Sequence, residues 1–233
     1  MHLLAIETSA DHCSCALSMN GSIHEACVEA GHTHSALLLP MVARLMAEAG
    51  LGFDQLDAIA FGAGPGSFTG LRIACGVAQG LAFAHDLPVV PVSTLEALAL
   101  EAGADRVLAC LDARMGELYL AAYERSGEEL RMIYAPALLK TAALPDLPGH
   151  WLGAGSGFGA HAAPLVARYA LSGIQSGLFP RAAAVARLSV AKFARGEMVP
   201  ADAAAPIYLR DKVALDVAEQ AALRAANQSA AVA

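Results

Sequence analysis

The stretch Gly62-Ala63-Gly64-Pro65-Gly66-Ser67-Phe68-Thr69-Gly70-Leu71-Arg72 holds the residue types most able to do chemistry in this 233-residue chain. Glycines at 62, 64, 66 and 70 allow the backbone to approach another group closely. Ser67 and Thr69 can each cap a following helix and leave its free N–H groups facing outward. Such a turn can cradle a phosphate, or it can be a packing device. It matches neither standard phosphate loop. A P-loop needs Gly-Lys-Ser/Thr at its end, whereas Gly70 is followed by Leu71 and Arg72. The dinucleotide fingerprint fits Gly64, Gly66 and Gly70 only with an added residue, and it needs an acid at the end of a second strand. Asp86 instead precedes a strand.

Other chemical groups are scattered. His32-Thr33-His34 is no metal pair on a helix, because residues two apart point about 200° apart. Asp112 and Arg114 read as a catalytic acid and anion clamp, or as a local turn locked by an ion pair. Ser67 lacks the Gly-x-Ser-x-Gly elbow of a nucleophile. Cys13-Ser14-Cys15 is too tight for a usual zinc pair. The five cysteines (Cys13, Cys15, Cys27, Cys75, Cys110) are an odd number in apolar contexts, which points to reduced core residues of a cytoplasmic protein.

Composition narrows the function classes. The net charge of −7, with 15 cations against 22 acids and no basic run, argues against nucleic-acid binding by this chain alone. The apolar share is 56% and the charged share 16%, so a surface buried against a partner is expected. Met1 to Glu7 lacks the features of a signal peptide, and no apolar run reaches membrane-spanning length.

These residues must be carried by an α/β framework. Leu3–Ile6, Cys13–Met19 and Ile23–Glu29 read as three strands of an antiparallel meander, with Asn20-Gly21 as a hairpin turn. A helix follows over 33–49, with Leu37, Leu38, Met41, Val42, Leu45 and Met46 at helical spacing and Gly50 closing it. Then come a strand at 57–62, the glycine turn, a helix over 70–84, a strand at 89–92 and a helix over 94–102. This is the order of a ribonuclease-H-like unit. After a seam at Gly103-Ala104-Asp105, strands at 107–111, 117–123 and 130–134 suggest a second, shorter meander. Trp151-Leu152-Gly153-Ala154-Gly155 leads into a helix over 158–169, and 181–195 is an alanine-rich helix. The expected domains are 1–104 and 105–210, with the later helices packing back on the first, and 211–233 as a frayed or disordered tail.

Four segments together resemble a known family. They are Ile6-Glu7-Thr8-Ser9, the run Gly64 to Ile73, Leu111-Asp112-Ala113-Arg114-Met115-Gly116-Glu117-Leu118-Tyr119, and Pro206-Ile207-Tyr208-Leu209-Arg210. In this order the chain is similar, over 1–212, to the bacterial tRNA threonylcarbamoyladenosine biosynthesis family TsaB (YeaZ). The resemblance implies an actin-like ATPase (sugar kinase/Hsp70/actin) fold of two ribonuclease-H-like lobes. It implies a non-catalytic partner of the related transferase TsaD, forming a heterodimer and acting with the ATPase TsaE on adenosine 37 of tRNAs that read codons beginning with A. tRNA would be engaged only through the complex. In such folds an acid after the first strand lies near phosphates and metal, so Glu7, Thr8, Ser9, Gly64 and Gly66 would outline a vestigial nucleotide cleft; Glu7 as a turn-capping carboxylate is the plainer reading. No cofactor is expected.

One departure bears on activity. The catalytic relative carries His-x-x-x-His where this chain has Val92-Ser93-Thr94-Leu95-Glu96-Ala97-Leu98, so Thr94 and Leu98 replace the two metal ligands. The alternatives, an ATP-binding phosphotransferase or a metallopeptidase-like enzyme, would require a full nucleotide cleft or those ligands. The helices over 33–49 and 70–84 suggest the docking surface. The first is apolar over a wide arc, and the second is small-residued. Leu38, Met41, Val42, Leu45, Arg72, Gly76, Val77 and Gly80 are the expected interface, used for a homodimer when the partner is absent.

Overall fold

The computed structural model describes residues 1–127 and 129–210; the tail expected at 211–233 lies outside them. Leu3-Leu4-Ala5-Ile6, apolar without alternation, suits a strand buried on both faces. It forms β1 (His2–Glu7), the centre of the first sheet. β1 pairs antiparallel with β2 (His12–Met19), and β2 with β3 (Ser22–Glu29). On its other side β1 runs parallel to β4 (Ala58–Gly64), and β4 to β5 (Val89–Ser93), giving the order β3-β2-β1-β4-β5.

Helices α1 (His34–Ala49) and α2 (Phe68–Ala84) cover one face. There Leu4, Ile6, Leu17, Ile59 and Phe61 meet Leu38, Val42, Leu45, Ala74 and Ala78. Alanines on the buried side of α2 bring it close to the sheet. The opposite face, with Leu3, Ala5, Ala60, Val90 and Val92, is closed by α6 (Ala182–Ala194) through Ala182, Ala184, Val185 and Ala186. Glu25 of β3 fastens that helix by pairing with Arg181 and accepting from the Ala183 N–H.

The second sheet repeats the scheme. β6 (Arg106–Arg114), β7 (Glu117–Ser126) and β8 (Glu129–Lys140) form a meander, and β9 (His150–Ala154) and β10 (Ala170–Gln175) add in parallel. Its order, β10-β9-β6-β7-β8, is that of the first sheet read from the other end. The fold is α/β with two ribonuclease-H-like mixed sheets, as the sequence suggested. α3 (Thr94–Ala102) lays Leu95, Leu98 and Ala99 on the second sheet, against Val107, Ala109 and Tyr123.

Three details differ from expectation. The second meander is the longer one, with strands of 9, 10 and 12 residues. β8 runs on through Pro136 because an edge strand loses no ladder bond to a proline. The helix expected over 158–169 breaks at His161 into α4 (Gly157–Ala160) and α5 (Ala162–Arg168). Pro164 explains the break, since its ring excludes the carbonyl of Ala160 from a continuous helix. β10 carries no strand signal in the sequence, because Ser172 and Gly173 weaken a half-exposed edge.

The glycine turn seats α2. Ser67 caps the helix, its Oγ accepting from the Gly70 N–H at 3.3 Å, while Thr69 already lies inside it. The Ser67 N–H donates to the Ser9 carbonyl at 2.8 Å, and Thr8 Oγ1 donates to the Gly70 carbonyl at 2.7 Å. A Cβ on Gly70 would overlap the Thr8 carbonyl oxygen, and that oxygen belongs to buried backbone and cannot yield. Gly76, one turn and a half along, faces open space. Gly70→Ala should therefore destabilise by about 3 kcal/mol, and Gly76→Ala should stabilise by roughly 0.5–1 kcal/mol as an ordinary helix substitution. Denaturant unfolding of the two variants checks this; equal effects would contradict it.

Candidate functional site

Between the two sheets lies a cleft of about 950 Å³. The β1–β2 turn contributes Ser9, Asp11 and His12 to one wall, and the start of α2 contributes Ser67, Phe68 and Thr69. The β6–β7 turn supplies Asp112, Arg114 and Met115 opposite, and Tyr208 and Arg210 close one side.

Of the five residues expected to outline a nucleotide cleft, Ser9 and Gly66 line this space, whereas Glu7, Thr8 and Gly64 do not. Glu7 lies behind it, 1% exposed, with Oε1 accepting from the Ser9 N–H at 2.6 Å. Its Oε2 is buried against Gly62 with no hydrogen-bond partner among the described residues. Burial pushes the carboxyl from 4.5 up to about 7, outweighing hydrogen bonding from Ser9. The room beside Gly66 is taken by Ser9, and that beside Gly70 by Thr8. The glycines thus admit the protein's own N-terminal strand end. Burial favours the neutral form of this carboxyl, and with Ser9 and Thr8 filling the space beside the glycines the turn leaves no cradle for the phosphates of a nucleotide.

The remaining candidates have local partners. Thr94 Oγ1 accepts from the Gly64 N–H at 3.1 Å, and Leu98 is fully buried in the core, so both positions that the resemblance set against a metal-ligand pair are spent on packing. Asp112 takes the Arg114 N–H at 3.0 Å, the Arg114 guanidinium at 3.2 Å and His161 Nε2 at 3.3 Å. Arg114 and Met115 have φ of 62° and 56°, so Asp112 locks a left-handed turn. His34 is buried and donates Nε2 to the Ala10 carbonyl at 2.9 Å, while His32 is exposed. Among the described residues no group of three His, Cys, Asp or Glu could hold a metal, and no helix is long and apolar enough to cross a membrane.

The expected docking residues divide. Leu38, Val42 and Leu45 are in the core, so their assignment to an interface is corrected: they are the face that α1 lays on the sheet. Met41 and Val77 are half-buried, and Arg72, Gly76 and Gly80 are exposed. The outward arc of α1 instead presents Ala36, Leu39, Pro40, Ala43 and Ala47. On α2 the open glycines at 76 and 80 are joined by Phe83, which is 79% exposed. Leu39 and Phe83 carry no sequence signal of their own; their position opposite the buried arcs could have found them.

Glu7 gives a signed pH effect. Its folded-state pKa, about 7, lies above its ordinary 4.5. The folded protein therefore holds this proton more firmly, and stability falls as pH rises from the ordinary value through about 7. Glu7→Gln should be more stable than the parent at pH 8, on the order of 3 kcal/mol, and should lose that advantage near pH 5. A stability difference that does not change with pH would contradict it.

Comparison with known proteins gives consistent matches. A family model described as TsaD, tRNA N6-adenosine threonylcarbamoyltransferase, matches residues 28–232. The chain is 37% identical over 226 residues to the tRNA threonylcarbamoyladenosine biosynthesis protein TsaB of Escherichia coli K12, covering 92% of this chain and 96% of that one. It is similar to the solved structure of YeaZ from Pseudomonas aeruginosa, with a TM-score of 0.81, 42% identity and coverage of 89% and 99%. A second Pseudomonas aeruginosa structure, described as an uncharacterized protein with similarity to peptidase YEAZ, matches with a TM-score of 0.83 and 41% identity, covering 90% and 99%.

Proposed function

Because the chain belongs to the TsaB family of tRNA threonylcarbamoyladenosine biosynthesis proteins, we propose that it serves that pathway as a non-catalytic scaffold docked on the transferase TsaD. The observation that carries this reading is the outward face of α1 and α2. It combines apolar Leu39 and Phe83 with two glycines that let a partner helix approach closely. A related chain offering its own equivalent helix pair would bury that face by helix packing, and without it a second copy of this chain would do so.

Catalysis by this chain alone has little support. Thr94 and Leu98 remove the metal pair that a peptidase-like or transferase reaction would use, and Glu7 is buried as a packing group. The phosphotransferase alternative meets a cleft whose phosphate turn is filled by the N-terminal strand end. In this reading TsaE joins the assembly, and tRNA is held by the complex, since phosphate binding needs clustered cations that this acidic chain lacks. The cytoplasm, where tRNA is modified, is the expected location.

The docking face is tested by Leu39→Asp combined with Phe83→Asp. Both side chains are exposed, so the fold should persist while affinity for the transferase, measured by calorimetry, drops by about thirtyfold or more. The same variant should be a monomer in sedimentation. Unchanged affinity with a well-folded variant would exclude this face.

A further inference from the structure

Two of the segments behind the family resemblance, Gly64 to Ile73 and Leu111 to Tyr119, meet a third, Pro206 to Arg210, within the short stretch of residues 204–210. At its start the Ala204 carbonyl accepts from Gln79 Nε2 at 2.8 Å and from Cys75 Sγ at 3.5 Å, both on α2. The Ile207 N–H donates to the Ala63 carbonyl at 2.7 Å, at the end of β4. Tyr208 packs against Phe68, with ring centroids 5.9 Å apart, and its hydroxyl accepts from Arg72 Nε at 3.1 Å. The Arg72 guanidinium in turn stacks 3.7 Å over the Phe68 ring.

Two residues later the chain is tied to the other sheet. Arg210 Nη2 donates to the Ala113 carbonyl at 2.8 Å and pairs with Glu117 at 2.8 Å, while Nη1 reaches Met115 Sδ at 3.5 Å. The Arg210 and Glu117 side chains are only 15% and 19% exposed, so this pair is shielded from solvent, unlike an ordinary surface ion pair. The turn that receives Arg210 is itself stiff, locked by Asp112 and built on left-handed residues.

We propose that residues 204–210 are a strap that couples the docking face on α2 to the position of the second sheet. Tyr208 and Arg210 are anchored in different halves of the molecule, and two residues span at most about 7 Å, so a shift at one anchor cannot be taken up as slack. A partner seated on Arg72, Phe68 and Tyr208 therefore also sets the β6–β7 turn and the width of the cleft. This rests on the docking reading only for what pulls on the strap.

Hydrogen exchange by mass spectrometry on the full chain separates the two. Without any partner, Arg72→Met removes the donor to Tyr208, and exchange over 112–119 should rise about tenfold although Arg72 touches none of those residues. Tyr208→Ala should do the same. Unchanged exchange over 112–119 in both variants overturns the strap. With excess transferase, the parent chain should gain about tenfold protection on α2 and over 112–119 alike, and Arg210→Ala should keep the first and lose the second. Protection over 112–119 that survives Arg210→Ala also overturns the strap. An α2 that stays unprotected counts against the docking reading, and the partner-free variants then decide the strap alone.

Discussion

The rest of the molecule depends on how the end of β1 is received by the turn after β4. Thr8 and Ser9 bond to the start of α2 through the Gly70 carbonyl and the Ser67 N–H, and the Gly64 N–H is taken by Thr94. These contacts need backbone-to-backbone approach, which explains glycine at 66 and 70 more directly than any ligand does. They fix where α2 begins. The outward line of Arg72, Gly76 and Gly80 follows from that, one turn after another. Glu7 is buried as a consequence of the same closure and is destabilised as an anion by it.

The positions at which the sequence resemblance looked for chemistry carry groups with local partners in this structure. Thr94 and Leu98 are part of the inter-sheet core, and Asp112 holds a turn. What the fold exposes in their place is helix surface. α3 lies on the second sheet and α6 on the first, so the halves are interlocked by their own helices, and the strap at 204–210 ties them again at the cleft mouth.

Much of the architecture could be read from residues in order. The uninterrupted apolar run of β1, the Asn20-Gly21 hairpin and Gly50 as a helix stop each have a local cause. The break at His161 was not read from the sequence, which suggested one helix over 158–169, although Pro164 is its local cause. The outward face of α1 was harder. Leu37-Leu38-Leu39 and Met41-Val42 spread apolar groups over more than one arc, and periodicity alone cannot say which arc meets the sheet. That choice is made by tertiary packing against Ile6, Leu17 and Phe61, and it buried Leu38, Val42 and Leu45 while leaving Leu39 outside. The glycine turn was ambiguous for a similar reason, because the group that fills it is some sixty residues away in sequence. The strap is less visible still: Arg72 and Tyr208 are 136 positions apart.

The most direct test of the scaffold role is reconstitution of tRNA modification from purified transferase TsaD, ATPase TsaE, tRNA and threonylcarbamoyl-adenylate, with and without this chain. The expected result is that N6-threonylcarbamoyladenosine forms only when this chain accompanies the transferase, and that this chain without the transferase forms none. Equal modification in its absence, or product from this chain alone, would contradict a non-catalytic scaffold.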